Sequence, residues 1–356
     1  MTEQTERTEI PYTYDQFTVF FHDDRVFIGG KDFPLGQCCV DIMELEGSVL
    51  DEIEQRVRAF APAAQALLSE KTDSAAASAQ EKLNAVWKVI FKLPVYRDLK
   101  MDEESNYHTF ERLMADKEKW AQVQDPASEG YGMYQGMIAG LVCFADDLRG
   151  FRQQIAVMTE RYFEPLKRRN SGAYAGAYSH FYGDMLSVAA HLFHEDFSQS
   201  FPVEVSFVPM LSQGDEEKIF IAEKAAFNCL TDFLRTEFYR GLAAGNAPRR
   251  CHNCGRYFLL TAGYNTCYCN NIAPGETERT CRKVGAHRKE AQGRANRSPA
   301  QVEYARAYNR LKQRKNRGKI SVDEWNTAVT QAIEILEQAE RGELTDIEAS
   351  RRFAEL

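Results

Sequence analysis

Apolar positions recur mostly at helical spacing along the first 250 residues. Ser48 followed by Asp51 resembles a helix start, and the spacing then continues towards Leu68. Leu83, Val86, Trp87, Ile90 and Phe91 form another stripe, and longer helical patterns cover about 134–168, 174–197 and 223–241, the last stopping near Gly241 and Gly245. Between the first two patterns, Thr72 to Ala79 reads as a linker or a weak helix start, and Asp125 to Gly130 reads as a loop. Two stretches alternate instead. Phe17 to Phe21 and Arg25 to Ile28 flank His22-Asp23-Asp24 as a hairpin that Gly29-Gly30 ends. Val203 to Val208 alternates like a strand, and Lys218 to Ile221 can pair with it across Ser212 to Glu216.

Beyond residue 298 the helical pattern sharpens. From about Pro299 to Arg317, Tyr304, Tyr308 and Leu311 share one side, while Arg306, Arg310, Arg314 and Arg317 gather on nearly the opposite one. Gly318 suits the cap. Ser321 and Glu324 make a capping box for a helix with Trp325, Val329, Ile333 and Leu336 on one face, and Thr345 to Glu348 starts a last short helix. The first two helices predict a hairpin packed on Tyr308 and Trp325. The expected fold is therefore mainly α (α+β). A helical body with a short N-terminal β-hairpin fills 1–245, a small zinc-ribbon or knuckle module 246–298, and a basic amphipathic helix with a helical tail 299–356.

Composition narrows the class. The chain has 356 residues, about two domains at roughly 150 residues each. With 44% hydrophobic and 27% charged residues it is of ordinary globular make-up, which excludes disordered and collagen-like classes. The longest uncharged apolar run, Met137 to Ala145, is too short for a bilayer. The start, MTEQTERTEI, lacks the basic-then-apolar pattern of a secretion signal, so the expectation is a cytoplasmic protein without membrane contact.

Cysteine placement changes the picture more. Cys38, Cys39, Cys143 and Cys229 are scattered, whereas Cys251, Cys254, Cys267, Cys269 and Cys281 fall close together. An odd total of 9 in a chain without a signal argues against disulfides and for a metal. Cys251-His-Asn-Cys254-Gly255 has the form of a zinc knuckle, whose turn aims backbone N–H groups at the thiolates and needs a positive φ at glycine. Phe258 would pack beneath. Tetrahedral zinc takes a second pair from Cys267, Cys269, Cys281 or His287. Cys269 and Cys281 are favoured, Cys269 ending a hairpin strand and Cys281 opening a helix, where the dipole stabilises a thiolate. Cys267 is the alternate third ligand, since strand alternation places it on the face of Cys269. Four thiolates leave no open position, so one structural Zn2+ is expected and no catalytic residue is assigned.

Charge is equally uneven. Residues 249–319 hold 17 Lys and Arg against 4 Asp and Glu, within a chain whose net charge is -8. A basic segment directly behind a zinc module points to an anion, and an arginine stripe at helical spacing can follow a phosphate backbone. The leading expectation is a non-catalytic nucleic-acid-binding protein, for DNA or RNA, with Arg282, Lys283, Arg306, Arg310, Arg314 and Arg317 on phosphates. One rival is a protein-interaction module whose basic face docks an acidic partner or the acidic body itself.

The residues Cys251, Cys254, Gly255, Arg256, Phe258, Tyr268, Cys269, Thr280, Cys281 and Arg282, with Arg317 to Ser321 behind them, resemble the signature of an uncharacterised bacterial family known only as a domain of unknown function. That resemblance implies a zinc site and no activity. The layout also looks like the CGNR zinc-finger proteins, which implies a transcriptional regulator, although this chain has no Cys-Gly-Asn-Arg and spaces its last two ligands farther apart.

Other signals are weaker. His191 and His194 beside Glu195 and Asp196 match no metalloprotease motif. Glu216-Glu-Lys218, with Asp184 or Asp196 upstream, gives a second rival, a metal-dependent nuclease, against the simpler reading of a charged hairpin turn. Asp146-Asp147 reads as a surface face. No phosphate-binding loop, nucleophile elbow or dinucleotide fingerprint occurs.

Overall fold

A computed structural model describes residues 17–101, 104–192, 201–212, 215–295 and 297–356. Helix outweighs strand, 64% to 13%, so the fold is mainly α as the periodicity predicts. The chain divides into two compact units, Met1–Cys269 and Asn270–Leu356.

The first unit is built on a five-stranded antiparallel sheet. β1 (Phe17–His22) alternates in burial, which sends Phe17, Val19 and Phe21 into the core. Asp23 turns at a positive φ of 49° into β2 (Arg25–Ile28), and Phe20 faces Phe27 across the predicted hairpin. Gly29 and Gly30 do not end the element. They turn the chain into β3 (Lys31–Pro34), which pairs with β2.

β4 (Glu204–Ser212) and β5 (Asp215–Phe227) form the second predicted hairpin, longer than expected, and β5 lies against β1 with Phe17 opposite Phe227. The strand order is β3-β2-β1-β5-β4.

Helices cover the sheet's core face. α1 (Gln37–Met43), α2 (Gly47–Glu70), α3 (Asp73–Ile90) and α4 (Pro94–Leu99) lead into a 3₁₀ turn at Glu104–His108, then α5 (Thr109–Ala115), α6 (Lys117–Gln124) and α7 (Glu129–Val157). Along α2, Leu50, Ile53, Val57, Phe60, Ala64 and Leu67 are buried at helical spacing and pack against α3 and α7. Ser48 lies inside α2 and does not cap it; the cap position is Glu46. Thr72 accepts a hydrogen bond from the Ala75 N–H at 3.2 Å, so the alanine-rich stretch is a capped helix and not a linker.

The helix expected over 134–168 is interrupted. Met158–Phe163 is a π-helical turn, in which the Glu164 N–H reaches the Thr159 carbonyl at 2.9 Å. α8 (Ser171–Leu192) follows. The helix expected from 223 begins later, as α9 (Leu230–Ala244), because Ala225 and Phe227 bury at period two and pair with β1. The unit closes with a two-stranded hairpin, β6 (Ala247–Arg250) and β7 (Tyr257–Leu260). Met137 to Ala145 lies within α7, and no helix among the described residues is long and apolar enough to cross a membrane. His194, Glu195 and Asp196 fall outside the described residues.

The second unit holds α10 (Cys281–Ala295), α11 (Pro299–Asn316), α12 (Val322–Glu340) and α13 (Asp346–Glu355). Ser298 with Gln301, Ser321 with Glu324 and Thr345 with Glu348 form complete capping boxes, the second as predicted and the third at the predicted start of the last helix. The expected pair of helices is joined by a third. Ala307, Ala332, Ile335, Ala349 and Phe353 form the core, Tyr308 meets Trp325 edge-on at 6.2 Å, and Tyr304 meets Phe353 at 6.2 Å.

Candidate metal centre and basic segment

The predicted four sulfurs come together. The Sγ atoms of Cys251, Cys254, Cys269 and Cys281 all lie within 4.8 Å of one another, and three of these four residues are buried. Cys254 and Cys269 have their sulfurs 3.6 Å apart. A tetrahedron with bonds of about 2.3 Å places sulfurs roughly 3.8 Å apart, so the set fits one metal ion.

The local chain explains the convergence. Strand β6 ends at Arg250, and the Gly255 N–H bonds back to the Cys251 carbonyl at 2.8 Å while the Cys251 N–H reaches the Arg256 carbonyl at 2.8 Å. Gly255 holds a φ of 75°, the conformation the knuckle needs. The Cys269 N–H points at the Cys251 sulfur at 3.4 Å. Burial opposes the Cys251 thiolate, but N–H groups of Cys269, Cys254 and Asn253 and the Cys254 side chain together pull its pKa down to about 7. Cys281 opens α10, its own N–H bonded to the Asn271 carbonyl at 2.8 Å, with Thr280 accepting from the Lys283 N–H at 3.3 Å.

Cys267 takes another path. The stretch around it is not a strand, so the alternation that placed Cys267 beside Cys269 does not operate. A turn forms instead, with Thr266 Oγ1 accepting from the Tyr268 N–H at 3.2 Å. The Cys267 sulfur accepts from Arg249 Nη2 at 3.1 Å, and its carbonyl accepts from the His252 N–H at 2.9 Å. Phe258, expected beneath the metal, sits half-buried in β7 opposite Arg249.

Arg249 and Glu164 are structural partners that motif reading missed. Arg249 is only 4% exposed although it belongs to the basic segment. Its guanidinium also reaches the Thr266 carbonyl at 2.8 Å and Glu164 at 3.1 Å, and His252 Nε2 meets the same Glu164 oxygen at 2.7 Å. Burial works against the Glu164 charge, yet hydrogen bonds from Arg249 and His252 and the nearby Arg169 hold it below its ordinary value. Little in the sequence signalled this, since Ala247, Pro248 and Arg249 of β6 are all buried and only Arg250 is exposed. Arg250 pairs with Glu160 at 3.0 Å.

The predicted phosphate contacts are less uniform than the helical wheel implies. Arg282 and Lys283 are exposed in the first turn of α10, and Arg317 is exposed at the end of α11. Arg306 pairs with Glu303 at 2.6 Å. Arg310 donates to the Phe353 carbonyl and Arg314 to the Leu356 carbonyl at 2.7 Å, so both meet the end of α13. There they satisfy carbonyls that a helix C-terminus leaves open and complement its negative dipole. Asp184, a carboxylate of the nuclease reading, accepts from the Tyr162 hydroxyl at 2.7 Å.

Comparison with known proteins adds one finding. Residues 198–354, less than half the chain, match a family of unknown function, DUF6076. The chain is thus similar to an uncharacterised family across β4, β5, the cysteine cluster and the C-terminal helices, and the match carries no activity. Similarity to the CGNR zinc-finger proteins is not shown by it. No curated protein and no solved structure matches the chain.

Proposed function

We propose that the chain is a non-catalytic nucleic-acid-binding protein whose cysteine cluster holds one structural Zn2+. Four sulfur donors at tetrahedral spacing suit zinc, a borderline-soft ion without geometric preference of its own. Cys251, Cys254, Cys269 and Cys281 would hold it, and the bound ion would keep all four thiols deprotonated. With every coordination position filled by protein, the ion serves folding of the 251–281 stretch and no step of catalysis.

The observation that carries the nucleic-acid half is the position of Arg282 and Lys283. They are exposed on the turn directly after Cys281, so the ligand that anchors the helix also fixes two cations. Arg306 and Arg317 add to them from α11. Arg310 and Arg314 each commit one N–H to the end of α13 and retain others of the five that a guanidinium carries. Contacts of this kind bind phosphates and read no sequence. A regulatory role rests on the analogy of layout alone.

Fluorescence anisotropy of the full chain with duplex DNA and single-stranded RNA across a salt series tests this reading. Affinity should fall with salt, and Arg282→Ala with Lys283→Ala should flatten the slope by about two phosphate contacts. Absence of binding at low salt would end the nucleic-acid reading. Metal analysis finding no zinc, or far less than one ion per chain, would end the metal half. The acidic-partner reading draws on the same contacts of Arg310 and Arg314, since part of the stripe already meets protein acceptors.

A further inference from the structure

Among the described residues, nothing covers the face of β4 and β5 that continues the core face of the sheet. By register, Val205, Phe207, Pro209, Leu211, Ile219 and Ile221 share the side of the sheet that carries Phe17, Val19, Phe21, Ala225 and Phe227. The latter five are buried in the core. The former run on past the helices: Val205 is 50% exposed, Phe207 71%, Leu211 58%, Ile219 65% and Ile221 70%. Pairing of β5 with β1 stops at Glu223, so the outer half of the hairpin projects beyond the third strand. Its opposite side is engaged, with Phe220 stacked on His22 at 4.2 Å. A polar pair stands within the patch, beside Phe207. Arg240 grips Glu223 with bonds of 3.0 and 2.6 Å and lies 4.3 Å over Phe21.

We infer that this face is the interface of a two-fold dimer, in which the hairpin of a second copy stacks on the first. The area argues for it. Five side chains of about 200 Å2 each, half to three-quarters exposed, offer roughly 500–600 Å2 per copy. Two copies then bury about 1,100 Å2, above the roughly 1,000 Å2 that a biological interface clears, and the patch lies at the upper end of what monomers ordinarily leave bare. The lining is apolar apart from Glu223, which stands opposite Phe207 on the same face and is paired with Arg240, so the face meets its own likeness without an unpaired charge, as an isologous contact requires. Strand addition at the sheet edge is the less suitable mode. Pro209 sits at the middle of edge strand β4, and a proline in a sheet turns its missing N–H side outward. Face-to-face stacking remains, at the usual sheet spacing of about 10 Å. This inference does not depend on the metal or on nucleic acid.

Sedimentation velocity of the full chain from about 0.5 to 100 µM tests it, reading mass against the 40.6 kDa of one chain. The wild-type protein should sediment as a dimer. Phe207→Asp with Ile221→Lys should raise the dissociation constant at least 100-fold, as expected for removing two large apolar contacts per copy. Hydrogen exchange of the unaltered protein gives an arm that no misfolded variant can spoil. Amides of 205–211 and 219–221 should gain protection as concentration rises. A wild-type monomer at 100 µM overturns the inference, whatever else the patch binds. So does a dimer that persists in the folded double variant, or exchange in the hairpin that ignores concentration.

Discussion

Removing the carboxylate of Glu237 tests how the sheet and helices of the first unit are joined. Glu237 lies in α9, fully buried, and its two oxygens take the place of a cap for α1. Oε1 accepts from the Gly36 N–H at 2.5 Å and the Cys38 N–H at 3.2 Å, and Oε2 accepts from the Cys39 N–H at 3.2 Å. Gly36 itself brings no capping side chain. Glu237→Ala leaves three buried donors without partners at about 1–3 kcal/mol each. A loss of about 3–9 kcal/mol follows, against a typical total of about 5–15 kcal/mol.

Glu237→Gln is more telling because it separates shape from charge. Burial, opposed only in part by the three N–H groups, raises the Glu237 pKa from its ordinary 4.5 to about 8. The folded protein therefore binds a proton that the unfolded chain has lost between those values. The stability owed to that proton is full below about 4.5, declines as pH rises towards 8 at up to about 1.4 kcal/mol per unit, and is gone above it. Glutamine cannot titrate. Its amide nitrogen opposes the Cys39 N–H, a fixed cost of about 1–2 kcal/mol. Urea unfolding of both proteins at pH 5, 6, 7 and 8 should show the wild-type advantage shrinking as pH rises. A difference that stays constant over that range, or a Glu237→Ala loss below about 1 kcal/mol, would refute the reasoning.

Three further substitutions probe the site and the sheet. Cys269→Ser should abolish stoichiometric zinc in metal analysis of the purified chain, whereas Cys267→Ser should retain it, because the Cys267 sulfur is turned to Arg249. Gly29→Ala should destabilise the chain by more than about 3 kcal/mol in urea unfolding, since a Cβ there would stand 1.7 Å from the Asp98 carbonyl oxygen at a φ of +55°; a loss under about 1 kcal/mol would show that the turn relaxes.

What the sequence made legible were features set by short-range chemistry. The hairpin of β1 and β2, the pairing of β4 with β5, the caps at Ser321 and Thr345 and the knuckle glycine at Gly255 each depend on a few adjacent residues, and each stands where the pattern put it. The errors came where distant partners decide. Residues 223–227 have a spacing that suits a helix, but β1 supplies a strand to pair with and wins. β3 is short and carries little alternation, so only the two-glycine turn hinted at it. The choice between Cys267 and Cys269 rested on an assumed strand; a hydroxyl-closed turn at Thr266 replaced it and sent one sulfur to Arg249 and the other to the cluster.

The arginine stripe of α11 shows why a helical wheel alone does not define a surface. A wheel reports which side chains share a side, and it correctly opposes Tyr304, Tyr308 and Leu311 to the arginines. It does not report what packs across that helix. Tyr304 meets Phe353 of α13 and Tyr308 meets Trp325 of α12, so the apolar seam serves two neighbours. Holding α13 there brings its C-terminal carbonyls within reach of Arg310 and Arg314. The same residues thus serve folding first, by closing the open end of a helix, and only their remaining donors face outward. Arg282 and Lys283 bear no such duty among the described contacts and stand beside the residue that the metal would anchor. On the proposed reading, the order of contribution to anion binding therefore runs from α10 to α11, the reverse of what the clarity of the two patterns would have ranked.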